Sequence, residues 1–355
     1  MRKYFGSFLL FAAIYVMLPA GGNAQRVAFK VGEIQAAPGT RASGFLEVAA
    51  KAGADSGTRI PVTVIHGAKA GPVLALVAGT HGYEYSPIVA MQQFPWKVEP
   101  RELAGTIIVV HVANMPSFLG RTVYYSPVDG KNLNRVYPGK ADGTLSERIA
   151  DQITREVIDR ADYLIDLHCG DGNEALRPYV YWEAVGSPEV QEKSKQLALA
   201  FGLDHIVIQT DRLTDPAKSV YTSTTAIARG KPAITTETGF LGRVDTDGAD
   251  LAEAGVFNVL RHLKMLPGEG KAVEYPIWID RSEVLRSPIT GVFHARVLPG
   301  QTVVKGTLLG VLTDFFGNQV QEVRAPFDGE VLYVVATPPV SQGEPLGMVG
   351  HIKKE

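Results

Sequence analysis

An α/β domain built on a mixed, largely parallel sheet, followed by a small β-rich C-terminal domain, is the architecture this sequence predicts. Two observations carry it. Short apolar runs alternate with helical patterns until near Tyr275, and beyond that point the chain shows strands and turns but no helical pattern. The length of 355 residues, with 45% apolar and 20% charged, suits one large domain and a small one.

The chain starts with a targeting pattern. Arg2 and Lys3 precede the apolar run Phe8 to Leu18, and Gly22-Asn23-Ala24 reads as a small-residue cleavage site. Residues 1–24 are therefore expected to be a removable signal peptide, because the run is shorter than the ~20 residues that span a bilayer. The expected product is exported, with a bacterial periplasm as its location and no stable membrane insertion after cleavage. The lone cysteine, Cys169, excludes an intramolecular disulfide and suits an oxidising compartment. A net charge of -2 gives no attraction for nucleic acid. Oligomeric state is not legible.

The catalytic-size domain is expected over residues 25–270. Gly44 to Ile65 alternates like a pair of strands about a turn at Asp55-Ser56-Gly57. Val73–Ala78, Thr106–Val112, Tyr163–Leu167 and Ala233–Thr236 read as strands buried on both faces. Ser146–Arg160, Glu189–Phe201 and Ala249–Leu263 carry helical stripes, the first with Glu147 near its positive end.

Residues 275–355 repeat weakly. Arg286-Ser-Pro-Ile-Thr-Gly291 is echoed by Arg324-Ala-Pro-Phe-Asp-Gly329, and each copy leads through a strand and a Gly-rich turn to Leu-Gly. A duplicated β-unit of this size suggests a small barrel made of two halves. It resembles a biotinyl/lipoyl-type barrel. The hairpin between the halves, Thr313 to Val323, has no lysine, so the likeness implies the fold without a carried cofactor.

Polar residues cluster where apolar strands end, and sites in open α/β sheets form at carboxyl ends of strands. Gly79-Thr-His81-Gly-Tyr-Glu84 follows the first such strand, and a spacing of three lets imidazole and carboxylate converge. Asp166-Leu167-His168 ends another strand. His81, Glu84 and His168 make two histidines and a carboxylate, the ligand set of a catalytic zinc site with an open position. Other divalent ions accept the same donors. Asp166 shares a strand face with His168; it either orients that imidazole or pairs with an arginine. Glu237 ends a third strand, placed as a base for metal-activated water or as a salt-bridged strand end. Asn134 and Arg135 suit a clamp for a substrate carboxylate, and Arg121 is a further candidate for polarising a carbonyl or holding a carboxylate. His66, His111, His205, His262, His294 and His351 lack such context and read as structural or surface histidines.

Four ordered motifs, GTHGYE (Gly79–Glu84), NLNRVYPG (Asn132–Gly139), DLH (Asp166–His168) and TETG (Thr236–Gly239), resemble those of the succinylglutamate desuccinylase/aspartoacylase family of the zinc carboxypeptidase-like superfamily. The resemblance covers about residues 44–265 and implies a three-layer domain of that superfamily. It further implies one Zn2+ per chain on His81, Glu84 and His168, carboxylate binding by Asn134 and Arg135, and Glu237 as base. The implied activity is amide hydrolysis of an N-acyl amino acid, with carboxypeptidase action on peptides or cell-wall fragments, or a non-catalytic periplasmic binding protein, as alternatives. The partner is then a small N-acyl amino acid or short peptide. Cys169 stands where many members have a hydroxyl residue, and Tyr137 where phenylalanine is common. An exported relative of intracellular enzymes is expected to share their reaction type and not their substrate.

Overall fold

The computed structural model describes Met1 and residues 26–354. The expected leader, but for Met1, and the location it implies lie outside the described residues. Among the described residues no helix is long and apolar enough to cross a membrane.

One mixed, 13-stranded sheet runs through the molecule. At its centre Ala104–Val110, Lys69–Ala78, Tyr163–His168 and Ala233–Glu237 lie side by side in parallel. Thr40–Val48 and Thr58–His66 extend one flank as an antiparallel pair. On the other flank Tyr179–Glu183 joins antiparallel, and His205–Gln209 then runs parallel to it. Side chains of a strand alternate between faces. Along Lys69–Ala78, Ala75 and Val77 accordingly enter one core, whereas Leu74, Leu76 and Ala78 enter the other. Each complete burial of such a leucine is worth about 1.5–3 kcal/mol.

Helices cover both faces and make the domain three-layered. Tyr85–Lys97, Pro188–Phe201 and Thr246–His262 pack on one face through Ile88, Met91, Phe94, Leu197, Phe201, Val256 and Val259. Leu145–Ile153 covers the other with Leu145, Ile149 and Ile153. The predicted helix 146–160 thus starts one residue early, and its second half widens into a π-type turn over Thr154–Ile158. The Thr144 N–H donates to Glu147 Oε2 at 2.8 Å, which fixes that start.

The C-terminal segment is built of antiparallel strands and is joined to the large sheet. Ile277–Arg286 pairs in parallel with His205–Gln209 through its first residues, then antiparallel with Pro345–Ile352, which pairs with Gly329–Val335. The large sheet therefore continues across the anticipated boundary at Tyr275. A second, four-stranded antiparallel sheet contains Gly291–Ala295, Leu308–Thr313 and Gln319–Arg324. The two layers share an apolar core of Phe293, Leu312, Val323, Val331, Val334 and Val349. Ten residues of Ile277–Arg286 are long enough to serve both partners in turn, which is why the sheet has no break there.

Candidate metal centre and cleft

The strand Lys69–Ala78 ends at a loop that only glycine can build. Gly79 has φ +69°, and a Cβ on Gly82 would lie 2.0 Å from the Phe118 nitrogen. The loop presses against the backbone of Met115–Gly120, turns His81 toward the sheet edge, and places Glu84 at the N-cap of Tyr85–Lys97. The next two strands deliver the rest by register. Glu237 is the direct partner of His168, and Thr235 that of Asp166.

These elements bring His81, Glu84 and His168 together, with one ligand atom of each within 4.8 Å of the others. Among the described residues no other group of three or more such donors forms. His81 Nδ1 lies 2.6 Å from Glu84 Oε1, and His168 Nδ1 lies 2.8 Å from Glu84 Oε2. The far nitrogens are already committed. His81 Nε2 faces Asn132 Oδ1 at 3.1 Å, an oxygen that also accepts the Asn134 N–H at 2.8 Å. His168 Nε2 faces the fully buried Asp166 carboxylate at 3.0 Å, with the Asn134 amide farther off at 3.4 Å. The Asn132 acceptor favours a proton on His81 Nε2 and leaves its Nδ1 facing Glu84, and the Asp166 carboxylate lies beside His168 Nε2 while His168 Nδ1 faces the same Glu84. Two imidazole nitrogens and one carboxylate grouped this closely could hold a metal ion. The donor set and the acceptor behind each imidazole fit a zinc ion. Of the two roles open to Asp166, the geometry matches orienting His168.

The local charges agree with that reading. Burial would raise Glu84, but His168 and His81 hold it down to about 2. Burial would lower His168, yet Asp166 and Glu84 raise it well above its ordinary value, and His81 is raised by Glu84. Without metal, protons take the cation's place. This has a testable consequence for stability. With folded pKa values above the ordinary ~6.5, the two histidines stabilise the metal-free fold fully below about pH 6.5 and progressively less as pH rises through the shifted values. Glu84 loses its contribution only as pH falls from about 4.5 toward about 2. The chelated protein is expected to melt at a lower temperature at pH 9 than at pH 6. Added zinc should raise Tm more at pH 9, because binding displaces those protons. Equal zinc-induced shifts at the two pH values, in thermal melts, would contradict the assignment.

Glu237 borders this group. Burial, then repulsion from Glu84, raises its carboxyl well above the usual range, with His168 opposing. Its Oε2 is buried without a partner among the described residues, so the salt-bridged reading of Glu237 is not what the geometry shows. Cys169 is buried; burial pushes its thiol well up, and its backbone N–H points to Glu84 Oε2 at 3.4 Å.

A cleft of about 790 Å³ opens onto the triad, and an inner pocket of about 130 Å³ lies behind it. Arg135 lines both and Asn134 lines the inner one. Asn134 Oδ1 accepts from the Thr222 N–H at 3.0 Å and hydroxyl at 3.2 Å, which anchors the start of helix Thr222–Ile227. Arg121 is not brought to the cleft: it is exposed, in the left-handed conformation that ends helix Met115–Gly120. Three site residues escaped the sequence reading. Arg212 and Arg135 both lie over the Tyr221 ring, at 4.2 and 4.6 Å, so two guanidinium groups front the inner pocket. Glu183, at the end of Tyr179–Glu183, lines the same pocket. The far strands contribute Ser282, Val284, Arg286, Tyr333, Pro345 and Met348 to the outer cleft. Among the remaining histidines, His66 and His111 bond to Thr106 and Thr63, and His351 to Asp280.

Known proteins resemble this chain in sequence and in fold. Residues 70–263 match the model of the succinylglutamate desuccinylase/aspartoacylase catalytic domain. The N-alpha-acetyl-L-2,4-diaminobutyric acid deacetylase of Halomonas elongata is 30% identical over 301 residues, which is 82% of this chain and 86% of that protein. The product-bound ectoine utilization protein EutE (DoeB) from Ruegeria pomeroyi superposes with a TM-score of 0.78 at 27% identity, over 88% of this chain and 95% of that one. The succinylglutamatedesuccinylase/aspartoacylase of Rhodobacter sphaeroides shares the fold, with a TM-score of 0.78 at 24% identity over 89% of this chain and 96% of that one.

Proposed function

From the premise that this chain belongs to the succinylglutamate desuccinylase/aspartoacylase family, we propose that it is a zinc-dependent deacylase of N-acyl amino acids. A hydrolase of the deacylase type is what the family establishes; the metal, the residue roles and the substrate are the proposal. The observation that carries it is the convergence of two imidazole nitrogens and one carboxylate beside Glu237, at the head of a pocket fronted by two arginines. The relative's acetylated substrate makes acetyl the first acyl group to test.

His81, Glu84 and His168 would hold the ion, which supplies Lewis-acid polarisation and a water acidified toward pKa ~7. Glu237 takes a proton at its free carboxylate oxygen and returns it to the departing amine nitrogen. Arg135 and Arg212 hold the amino-acid carboxylate, their guanidinium planes fixed against Tyr221. Asn134 sets the position of Arg135 and of the 222–227 helix. With residues 1–24 as a removable leader, the proposal includes export and a substrate met outside the cytoplasm.

The test is metal content by mass spectrometry together with amine release from a panel of N-acetyl amino acids. The expected result is about one zinc per chain and turnover that disappears on chelation. A metal-loaded protein that releases amine from none of them would overturn the proposal.

A further inference from the structure

Glu183 has no part in the chemistry above, yet it lines the same pocket as His168, Arg135 and Glu237. It is 4% exposed and lines the inner pocket beside Arg135 and Arg212. One oxygen accepts hydrogen bonds from Ser223 Oγ at 2.8 Å and Thr235 Oγ1 at 3.3 Å. The other oxygen, also buried, has no partner among the described residues. Two hydroxyls hold the carboxylate in one orientation, so the free oxygen has a fixed position. We propose that Glu183 is the counter-charge for an ammonium group on the side chain of the substrate's amino acid, so that the protein prefers N-acyl amino acids with a short cationic side chain.

The inference rests on the deacylase reading and names its substrate class. A ligand filling the pocket displaces any water there and must replace its hydrogen bonds. An apolar side chain would leave the carboxylate buried and unpaired, and an anionic one would be repelled by it. An ammonium group satisfies both its charge and its free lone pairs. Arg135 and Arg212 offer the opposite charge for the α-carboxylate, so the pocket is matched to a molecule with both signs. Its volume of about 130 Å³ restricts the side chain to a short one. Burial raises the Glu183 carboxyl to about 7 in spite of the Ser223 hydroxyl and Arg212, and a cation in the pocket would restore its charge.

The experiment compares kcat/KM of the zinc-loaded enzyme for Nα-acetyl-L-2,4-diaminobutyrate and N-acetyl-L-norvaline, which replaces the ammonium by a methyl group. The expected preference for the diamino acid is about 10²-fold or more. In Glu183→Gln the preference is expected to fall below about tenfold, mainly through KM. No preference in the native enzyme, or a preference that survives Glu183→Gln, would overturn the inference while leaving the deacylase reading intact. An equal loss on both substrates would also overturn it, because Glu183 would then merely position Arg212. If no N-acyl amino acid is hydrolysed at all, the deacylase reading fails, and calorimetry with the free amino acids decides the inference separately. Tighter binding of 2,4-diaminobutyrate than of norvaline supports it, and equal binding sinks it.

Discussion

Glu237→Gln is expected to lower kcat by about 10²–10⁴-fold and to leave the metal content unchanged. Glu237 is outside the donor group, but its backbone is in register with His168 and its buried oxygen is unpartnered. Glutamine keeps the shape and loses the ability to accept a proton. Substrate affinity should hardly move, because Arg135 and Arg212 front the inner pocket from other elements. The acidic limb of the kcat profile should vanish with the carboxylate. Steady-state kinetics beside metal analysis would decide it: activity within tenfold of the native enzyme, with full metal, would remove Glu237 from the reaction.

His81→Ala is the second large effect. A structural zinc site binds with about 12 kcal/mol over four ligands, so one ligand is worth about 3 kcal/mol, or about 10²-fold in affinity. At limiting zinc the variant should lose its metal and fall to background. Excess zinc should restore part of the activity, since Glu84, His168 and Glu237 remain. The His81 side chain is 11% exposed, so the substitution removes a donor without emptying the core. Competition against a chelator of known affinity gives the number. Unchanged metal affinity would mean that the ion, if any, sits elsewhere.

How far the sequence reaches can be seen residue by residue. The triad and Glu237 were legible because each polar residue ends an apolar run, and parallel strands carry all such ends to one edge. The helix Tyr85–Lys97 was not, since Pro87 and Pro95 break its pattern and tertiary packing of Ile88, Met91 and Phe94 overrides them. Glu183, Arg212 and Tyr221 belong to three separate segments without a shared motif, and only the pocket unites them. Arg121 had no motif around it, unlike Arg135, and it stands exposed at the end of helix Met115–Gly120, outside the cleft lining. Composition marked the change at Tyr275 correctly as the end of helices. It could not show that hydrogen bonding crosses it, because a strand's partners are not written in its own residues.

That crossing has an evolutionary reading. The residues proposed to carry the chemistry lie between Gly79 and Glu237, whereas a wall of the outer cleft is encoded between Ser282 and Met348, on strands of the same sheet. Under that proposal, changes in the last eighty residues would alter the outer cleft and leave the proposed reacting residues untouched. Detaching those residues is a different matter. A gene shortened at Tyr275 would strip the partner from His205–Gln209 and leave a bare, adhesive edge. On the proposed reading, the last strands are free to vary in the side chains that face the cleft and are held in place by the backbone pairing that closes the sheet.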